Sequence, residues 1–470
     1  MPEDARVLGL FDMLRRRKGT LAQRLAHAVV SVALRLFFRR IETSRADLVP
    51  REGPLVFVLN HPNGLIDPAL VFAALPRRIS FLAKSTLFTL PVIGALLRAF
   101  ETLPLYRRAD EGSDMSQNRL TFEACRRLLR RGRCIALFPE GVSHNSTKLL
   151  PLKTGTARIA LGAASVADET DARPLGLSVV PVGLYYTSKT SFRSEALLRF
   201  GEPLEVGPVE LDEGGEPPRE EVRELSARIE AALRGVTLNV ETAEQLDVAR
   251  RAERLFSSIY EGVNVRLPLA ARFDSLRRFA AERLGRLLAS DTEGLGLRIL
   301  RHEAELRRIG IAPENLSLSR HSAWYVFRHF LLRGAVLLLL SPLAVVGAAL
   351  HLPAYLLCAL LARLFPRHGV DEIAPTVKIL AAVFLMPLTW LAVAGLSFYC
   401  WGWRAPVVAF PAAVVCGYAA VRSLEALYDM RGWFKAVWLL FRRRHLFLRL
   451  LLERQALREE IQHAERRAGD

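Results

Sequence analysis

Hydrophobic positions along this chain follow three different periods, and each predicts a different kind of structure. Leu21, Leu25, Val29, Val32, Leu36 and Phe37 recur at helical spacing, bracketed by Arg15-Arg16-Arg17-Lys18 and Arg39-Arg40. This predicts that residues 1–45 form an amphipathic basic helix lying in a membrane interface, with its arginines at headgroup level. Residues 46–207 instead carry short continuous apolar runs at 55–59, 79–83, 134–138 and 178–184. Between them Leu120, Ala124, Leu128 and Leu129 mark a helix that ends near Gly132. Unbroken apolar strands alternating with helices predict an α/β domain, a mostly parallel sheet flanked by helices.

After that domain the pattern changes twice. Glu210 to Pro218 is acidic and contains Gly214-Gly215 and Pro217-Pro218, the composition of a linker. Val222, Leu225, Ile229, Ala232 and Leu233 then make an amphipathic stripe closed by Gly235, so residues 208–330 read as a helical extension. From 331 to 425 charge almost vanishes: 334–362, 379–403 and 405–421 contain no formal charge. A bilayer crossing needs about 20 apolar residues, so this is a C-terminal transmembrane region. Its first run contains Pro342, His351 and Pro353 and reads either as one long tilted span or as a hairpin turning at His351-Leu352-Pro353. Keeping both basic ends on one side of the membrane favours an even number of crossings, most simply two hairpins across 334–365 and 379–421. Residues 426–470 bring Trp433, Phe434, Trp438 and Phe441 next to Arg442-Arg443-Arg444, a basic aromatic helical tail suited to a membrane surface.

Charge narrows the partners. The net charge is +17, from 65 basic and 48 acidic residues, and only seven of the basic residues are lysine. Such a balance attracts an anionic partner, but aromatics do not interleave with the basic clusters as a nucleic-acid stacking platform requires. Membrane lipids, and no nucleic acid, are the expected partners. The five cysteines are scattered, without disulfide or zinc spacing. No His/Cys/carboxylate cluster and no glycine-rich nucleotide loop follows a strand, so neither metal nor cofactor is expected. The N-terminal region lacks the features of a secretory signal.

Candidate chemistry gathers at the ends of the predicted strands, where a parallel α/β sheet places its sites. The run Leu55–Leu59 is followed by Asn60-His61-Pro62-Asn63-Gly64-Leu65-Ile66-Asp67-Pro68. A histidine can take a proton from a hydroxyl near neutral pH when a carboxylate fixes its tautomer, and His61 and Asp67 offer that pair one short loop apart. Asp67 before Pro68 also has the form of a helix N-cap. Asn60 is placed to shape the loop through a side-chain to backbone hydrogen bond. About eighty residues on, Phe138-Pro139-Glu140-Gly141 follows a second apolar run. His144, four residues past Glu140, reads as a loop residue.

These residues resemble the glycerolipid acyltransferases, membrane enzymes that acylate glycerol 3-phosphate or lysophosphatidate. The family's four blocks correspond in order to Asn60-His61 with Asp67, Leu103 to Arg108, Phe138 to Gly141, and Val180-Pro181-Val182. The resemblance covers roughly residues 50–205. It departs from the family pattern in having five residues rather than four between His61 and Asp67, and Val142-Ser143-His144 after Gly141. It implies transfer of a fatty acyl group from acyl-CoA or acyl-ACP to a glycerol-phosphate or lysolipid hydroxyl on the cytoplasmic side of the membrane. His61 would be the base and Asp67 its support. Asn60, Lys84, Arg107, Arg108, Glu140, Gly141 and Lys153 would serve the acceptor, the arginines through bidentate phosphate contacts. The rival from another class is a non-catalytic membrane scaffold that keeps the fold.

Overall fold

In the computed structural model the described residues are 5–7, 21–75, 77–89, 94–95, 97–98, 101–106, 117–165, 175–189, 191–240, 246–247, 250, 268–278, 293–311, 323–364 and 370–466. They divide into two compact units. The first comprises residues 1–239, 268–270 and 367–376, the second the remainder from 240 onward.

The first unit is built on one sheet. Its elements begin with β1 (Ala5–Val7), α1 (Leu21–Phe37), β2 (Phe38–Ser44), β3 (Leu55–Leu59), α2 (Ile66–Ala74), β4 (Ile79–Lys84) and β5 (Leu103–Leu105). They continue with α3 (Asn118–Arg130), β6 (Cys134–Leu137), α4 (Gly155–Ser165), β7 (Ser178–Tyr186), β8 (Ser194–Phe200), β9 (Leu204–Glu205) and α5 (Arg219–Val236). The strand order is β1-β2-β8-β7-β3-β6-β4-β5, with β9 added on β7. The central pairings β7–β3, β3–β6, β6–β4 and β4–β5 are parallel, as is β2–β8. The pairings β1–β2, β7–β8 and β7–β9 are antiparallel. A mostly parallel sheet flanked by helices is therefore what forms.

Side chains alternate across a strand, and that alternation assigns the layers. Val56, Val58, Ile135, Leu137 and Val179 share one core with Cys125 and Leu129 of α3, Ile159 and Leu161 of α4, and Val222, Leu225, Ile229 and Leu233 of α5. The opposite face, carrying Leu55, Phe57 and Leu59, belongs to the side of α2, which packs against α1 through His27 and Phe72. These strand residues are almost wholly buried, which explains why they read as continuous apolar runs rather than alternating ones.

Two expected boundaries move. The N-terminal helix does not run to residue 45: it stops at Phe37, and Phe38–Ser44 is a strand beside β8. Ile41 and Thr43 suit a strand, but the pairing partner lies about 150 residues away, so only the fold supplies the strand's reason to form. Likewise α5 is part of the sheet domain's core, not of an extension. It approaches β7 so closely that a Cβ on Gly183 would collide with the Val236 carbonyl oxygen. The helical extension therefore starts after α5.

On α1 the packed face carries His27, Ser31, Leu34 and Phe37. Of the stripe read from the sequence, Leu21, Leu25, Val29, Val32 and Leu36 are exposed, whereas Phe37 is buried.

The second unit is helical: the greater part of α6 (Leu269–Arg278), then α7 (Glu293–Ile309), α8 (Ala323–Leu364), most of α9 (Val370–Trp401), α10 (Ala405–Arg442) and α11 (Arg444–Arg466). Among the described residues, three stretches are long and apolar enough to cross a membrane: Phe330–Leu364, Val377–Trp401 and Ala405–Arg442. Continuous through Pro342 and Pro353, α8 does not turn at His351-Leu352-Pro353, and the two-hairpin arrangement gives way to three helices. Proline is tolerated in such helices because neighbouring groups can satisfy the freed carbonyls. The boundary expected at 425 falls inside α10, which runs on to Arg442.

Polar contacts fix the packing of these helices. His351 Nδ1 donates to the Gly347 carbonyl at 2.8 Å, and Trp390 Nε1 donates to His351 Nε2 at 2.8 Å. At Gly347 α8 meets the backbone of Cys416 in α10 with no room for a Cβ. Near the end of the third stretch, Ala436 and Leu439 pack with Leu306, Phe447 and Leu450 and bring α7, α10 and α11 together.

Candidate active site

The carboxyl ends of β3, β6 and β7 converge on one loop. After Leu59 the chain leaves the sheet through Asn60 and His61 and enters α2 at Ile66, with Gly64 in the left-handed region at φ 47°. Asn60 ties this exit to the neighbouring strand. Its side-chain nitrogen donates to the Leu184 carbonyl at 3.1 Å, and its oxygen accepts from the Leu184 amide at 2.7 Å. The expected side-chain to backbone bond exists, but it reaches across to β7 instead of closing the loop on itself.

His61 and Asp67 meet as their spacing predicts, with Nδ1 2.8 Å from Asp67 Oδ2. Asp67 is fully buried. It does not cap α2: Leu65 holds the N-cap position without a side-chain cap bond. Its oxygens are taken instead by His61 and by two further donors. Oδ2 also accepts from the Asn63 amide at 2.7 Å, and Oδ1 accepts from the Tyr186 hydroxyl at 2.6 Å. A buried carboxylate is stable only when its lone pairs are satisfied, and this one has three donors. Burial first, then the adjacent Asp67 charge, pushes the Tyr186 phenol well above its ordinary value. It therefore stays protonated and donating.

An ionised carboxylate only accepts, so Nδ1 of His61 carries a proton toward Asp67 and Nε2 is left with its lone pair in the neutral ring. The ring stacks on Phe138 at 4.1 Å between centroids and 21° between planes. The Asp67 bond therefore fixes the ring at one edge and a flat aromatic surface fixes its face.

Glu140 is buried beside them and both its oxygens are engaged within the protein. Oε1 accepts from the His61 amide at 3.0 Å. Oε2 accepts from the Leu150 amide at 2.8 Å and lies 2.5 Å from His144 Nε2. The loop is closed a second time by the His144 amide, which donates to the His61 carbonyl at 3.1 Å. Gly141 has φ 76°, a conformation that disfavours a side chain, and its amide donates to Phe138 O at 3.0 Å. Lys153 lies alongside: its amide donates to Pro139 O at 2.8 Å, and its stem is the nearest neighbour of a Cβ built on Gly141. Lys84 ends β4, on the same edge of the sheet, one strand beyond β6. Arg107 and Arg108 lie outside the described residues.

Sequence reasoning missed four participants. Asn63 was in plain sight in the loop but acts through its backbone, which no side-chain pattern reports. Tyr186 was detectable, since it continues the Val180, Val182, Leu184 face of β7 with a polar-tipped residue. His144, read as a loop residue, is hydrogen-bonded to Glu140. Phe138 was read as part of a strand end and serves as the surface under His61.

Comparison with known proteins bears on the span that carries these residues. The family profile described as acyltransferase matches residues 40–185. The chain is 25% identical to an uncharacterized acyltransferase of Schizosaccharomyces pombe over 90% of its own length and 76% of that protein's. It is 29% identical to glycerol-3-phosphate O-acyltransferase 2 of Saccharomyces cerevisiae, over 58% of this chain and 37% of the yeast protein. A 1-acyl-sn-glycerol-3-phosphate acyltransferase of Brassica napus chloroplasts is 28% identical over 41% of this chain and 50% of its own. The chain thus spans half or less of these two named enzymes. The span that holds Asn60, His61, Asp67, Glu140 and Gly141, residues 40–185, is a domain of the acyltransferase family.

Proposed function

We propose that this protein is a membrane O-acyltransferase that moves a fatty acyl group from a thioester, acyl-CoA or acyl-ACP, to glycerol 3-phosphate or 1-acylglycerol 3-phosphate. The observation that carries the reading is the His61–Asp67 pair: a histidine whose Nδ1 is held at 2.8 Å by a buried carboxylate and whose Nε2 is the acceptor. In this mechanism Nε2 takes the proton of the acceptor hydroxyl as its oxygen attacks the thioester carbonyl. The tetrahedral adduct collapses, the C–S bond breaks, and His61 returns the proton to the departing thiolate. Asp67 keeps the ring oriented and supports the imidazolium between the two steps. Thiolate leaves readily, so no covalent acyl-enzyme is required.

Binding follows from the same sheet edge. Glu140 holds the catalytic loop by joining His61, His144 and Leu150, and so acts on the acceptor site through the loop's shape. Lys84 and Lys153 supply positive charge for a phosphate. Lys153 lies two residues before α4, whose first-turn amides also favour an anion. By the resemblance, Arg107 and Arg108, two and three residues past the end of β5 in the sequence, would contact the phosphate. The exposed apolar stripe of α1 suits insertion into the interfacial layer, where lipid acceptors reside. The three apolar helices anchor the chain, with His61 on the cytoplasmic side where the acyl thioesters are made.

The test is an acyl-transfer assay on isolated membranes, with glycerol 3-phosphate, 1-acylglycerol 3-phosphate and other lysolipids each offered with both thioester donors. Transfer to a glycerol phosphate that disappears in His61→Ala supports the reading. Transfer only to a lysolipid without that headgroup replaces the acceptor. No transfer to any acceptor favours the scaffold.

A further inference from the structure

We propose that Tyr186 is a positioning residue of this site: its hydroxyl pins the Asp67 carboxylate and withdraws part of its charge, and so sets the basicity of His61. The inference rests on the reading of His61 as the base and extends it by one residue. Tyr186 lies one position beyond the residues matched by the family profile.

The geometry is that of a three-membered chain. Tyr186 donates to Oδ1 at 2.6 Å, while Oδ2 receives the Asn63 amide at 2.7 Å and His61 Nδ1 at 2.8 Å. Because the two oxygens have different donors, rotation of the carboxylate about its bond to Cβ would break contacts at both ends. The phenol itself is held. It sits on the face of β7 that looks toward α2, is buried, and stacks on Phe38 of β2 at 5.7 Å and 28°. Phe38 is reached only because β2 joins the sheet.

Charge decides the sign. A hydrogen bond to a carboxylate draws off negative charge and makes it a weaker support for imidazolium. With Tyr186 present, Asp67 orients His61 while lending less charge to the support of an imidazolium. Removing the hydroxyl leaves Oδ1 buried without that donor, concentrates charge toward Oδ2, and raises the pH at which His61 takes a proton. The other ionisable groups around His61 are Glu140 and His144 from the loop after β6, and Lys189 from the loop after β7, which donates to the His144 carbonyl at 3.1 Å. None of them is in contact with Oδ1 of Asp67 among the hydrogen bonds of the described residues.

The test needs no substrate. Diethyl pyrocarbonate modifies neutral imidazole, so its rate at His61 against pH, read by mass spectrometry of the full-length protein in detergent, reports where the ring titrates. In Tyr186→Phe the midpoint is expected to rise by about one unit, the scale of a hydrogen bond to a charged group. In Asp67→Asn the same Tyr186→Phe change is expected to move nothing. Acyl transfer should fall about threefold to fivefold in kcat near neutral pH, with the acceptor KM within about twofold, because the loss comes from protonation of the base. Placing 3-fluorotyrosine at 186, a stronger donor of almost the same shape, should move the midpoint down, and it covers the case in which Tyr186→Phe does not fold. A midpoint unmoved by both replacements, or an equal shift in the Asp67→Asn background, overturns the proposal. Retained turnover in His61→Ala is a different failure, which removes the base and leaves the titration result to stand alone.

Discussion

The first unit and the apolar helices of the second are both rich in leucine, valine, alanine and phenylalanine, yet they turn those residues in opposite directions. In the sheet unit Phe57 and Leu59 are fully buried. On α8 and α9, Leu339 is 78% exposed and Tyr399 is 89% exposed. Monomeric water-soluble proteins rarely expose so large an apolar face. The difference teaches that one protein is folded against two solvents. Water drives the sheet unit to hide its apolar side chains, whereas lipid rewards helices that display theirs and satisfy every backbone group internally. It also teaches where chemistry can sit. A histidine in the sheet unit meets a fixed carboxylate, and its Nε2 has no hydrogen-bond partner among the described residues. The histidine of the apolar region, His351, has both ring nitrogens engaged by Gly347 and Trp390, and so locks helices together.

The largest expected effect falls on that chemical contrast. Replacing His61 with alanine should lower acyl transfer by about 10²–10⁴-fold, the usual contribution of a general base, while protein level and resistance to carbonate extraction stay unchanged. His351→Ala should do the reverse, lowering stability in detergent while leaving the pH dependence of transfer in place. Near-normal turnover in His61→Ala would sink the mechanism.

The contrast in burial is broken by a pair of substitutions. Phe57→Ala opens a cavity under the sheet and should cost about 3–5 kcal/mol of stability by chemical denaturation of the detergent-solubilised protein. Leu339→Arg places a charge on a lipid-facing surface and should raise the cost of insertion by about 2.5–3.5 kcal/mol, read as loss of carbonate resistance in a membrane-insertion assay. If Leu339→Arg inserts normally, α8 is not a lipid-facing span.

Asn60→Ala should be milder. It deprives the Leu184 amide and carbonyl of their side-chain partners, at about 1–3 kcal/mol, and loosens the exit of His61 from β3. A decrease in both stability and kcat is expected, whereas Asn60→Asp should keep the amide contact and recover part of the loss.

The smallest effect is a reactivity difference. Burial, the largest cause, raises the Cys125 thiol to about 12 and also raises Cys134, whereas Cys400 is exposed. At pH 8 a membrane-permeant maleimide should label neither Cys125 nor Cys134 until denaturant is added. A group whose folded value is raised favours the folded state fully at pH below its unfolded value. Cys125 should therefore add an alkaline loss of stability that begins near pH 9 and continues to about 12, and that Cys125→Ala removes.

Much of this was legible one residue at a time. The continuous apolar runs located β3, β4, β6 and β7 because a strand buried on both faces has no polar side to show. The charge-free lengths located the apolar helices because a bilayer imposes a thickness. The His61 to Asp67 spacing located the pair because both residues lie in one loop, where contact is a local matter. The strand β2 and helix α5 were not legible as parts of the sheet unit, since each is defined by partners far away in sequence. The same holds for Tyr186: Asp67 is 119 positions earlier, and only the parity of β7 against α2 brings the two together. The course of α8 through Pro342 and Pro353 was left open because proline weakens a helix locally, and helix or hairpin is then decided by what packs beside it, here the backbone of Cys416 against Gly347. Sequence by itself determined the class of each region, because burial and membrane thickness act on short stretches. Tertiary structure alone decided which distant groups satisfy the buried charge of Asp67, because a buried carboxylate takes its donors from wherever the fold supplies them.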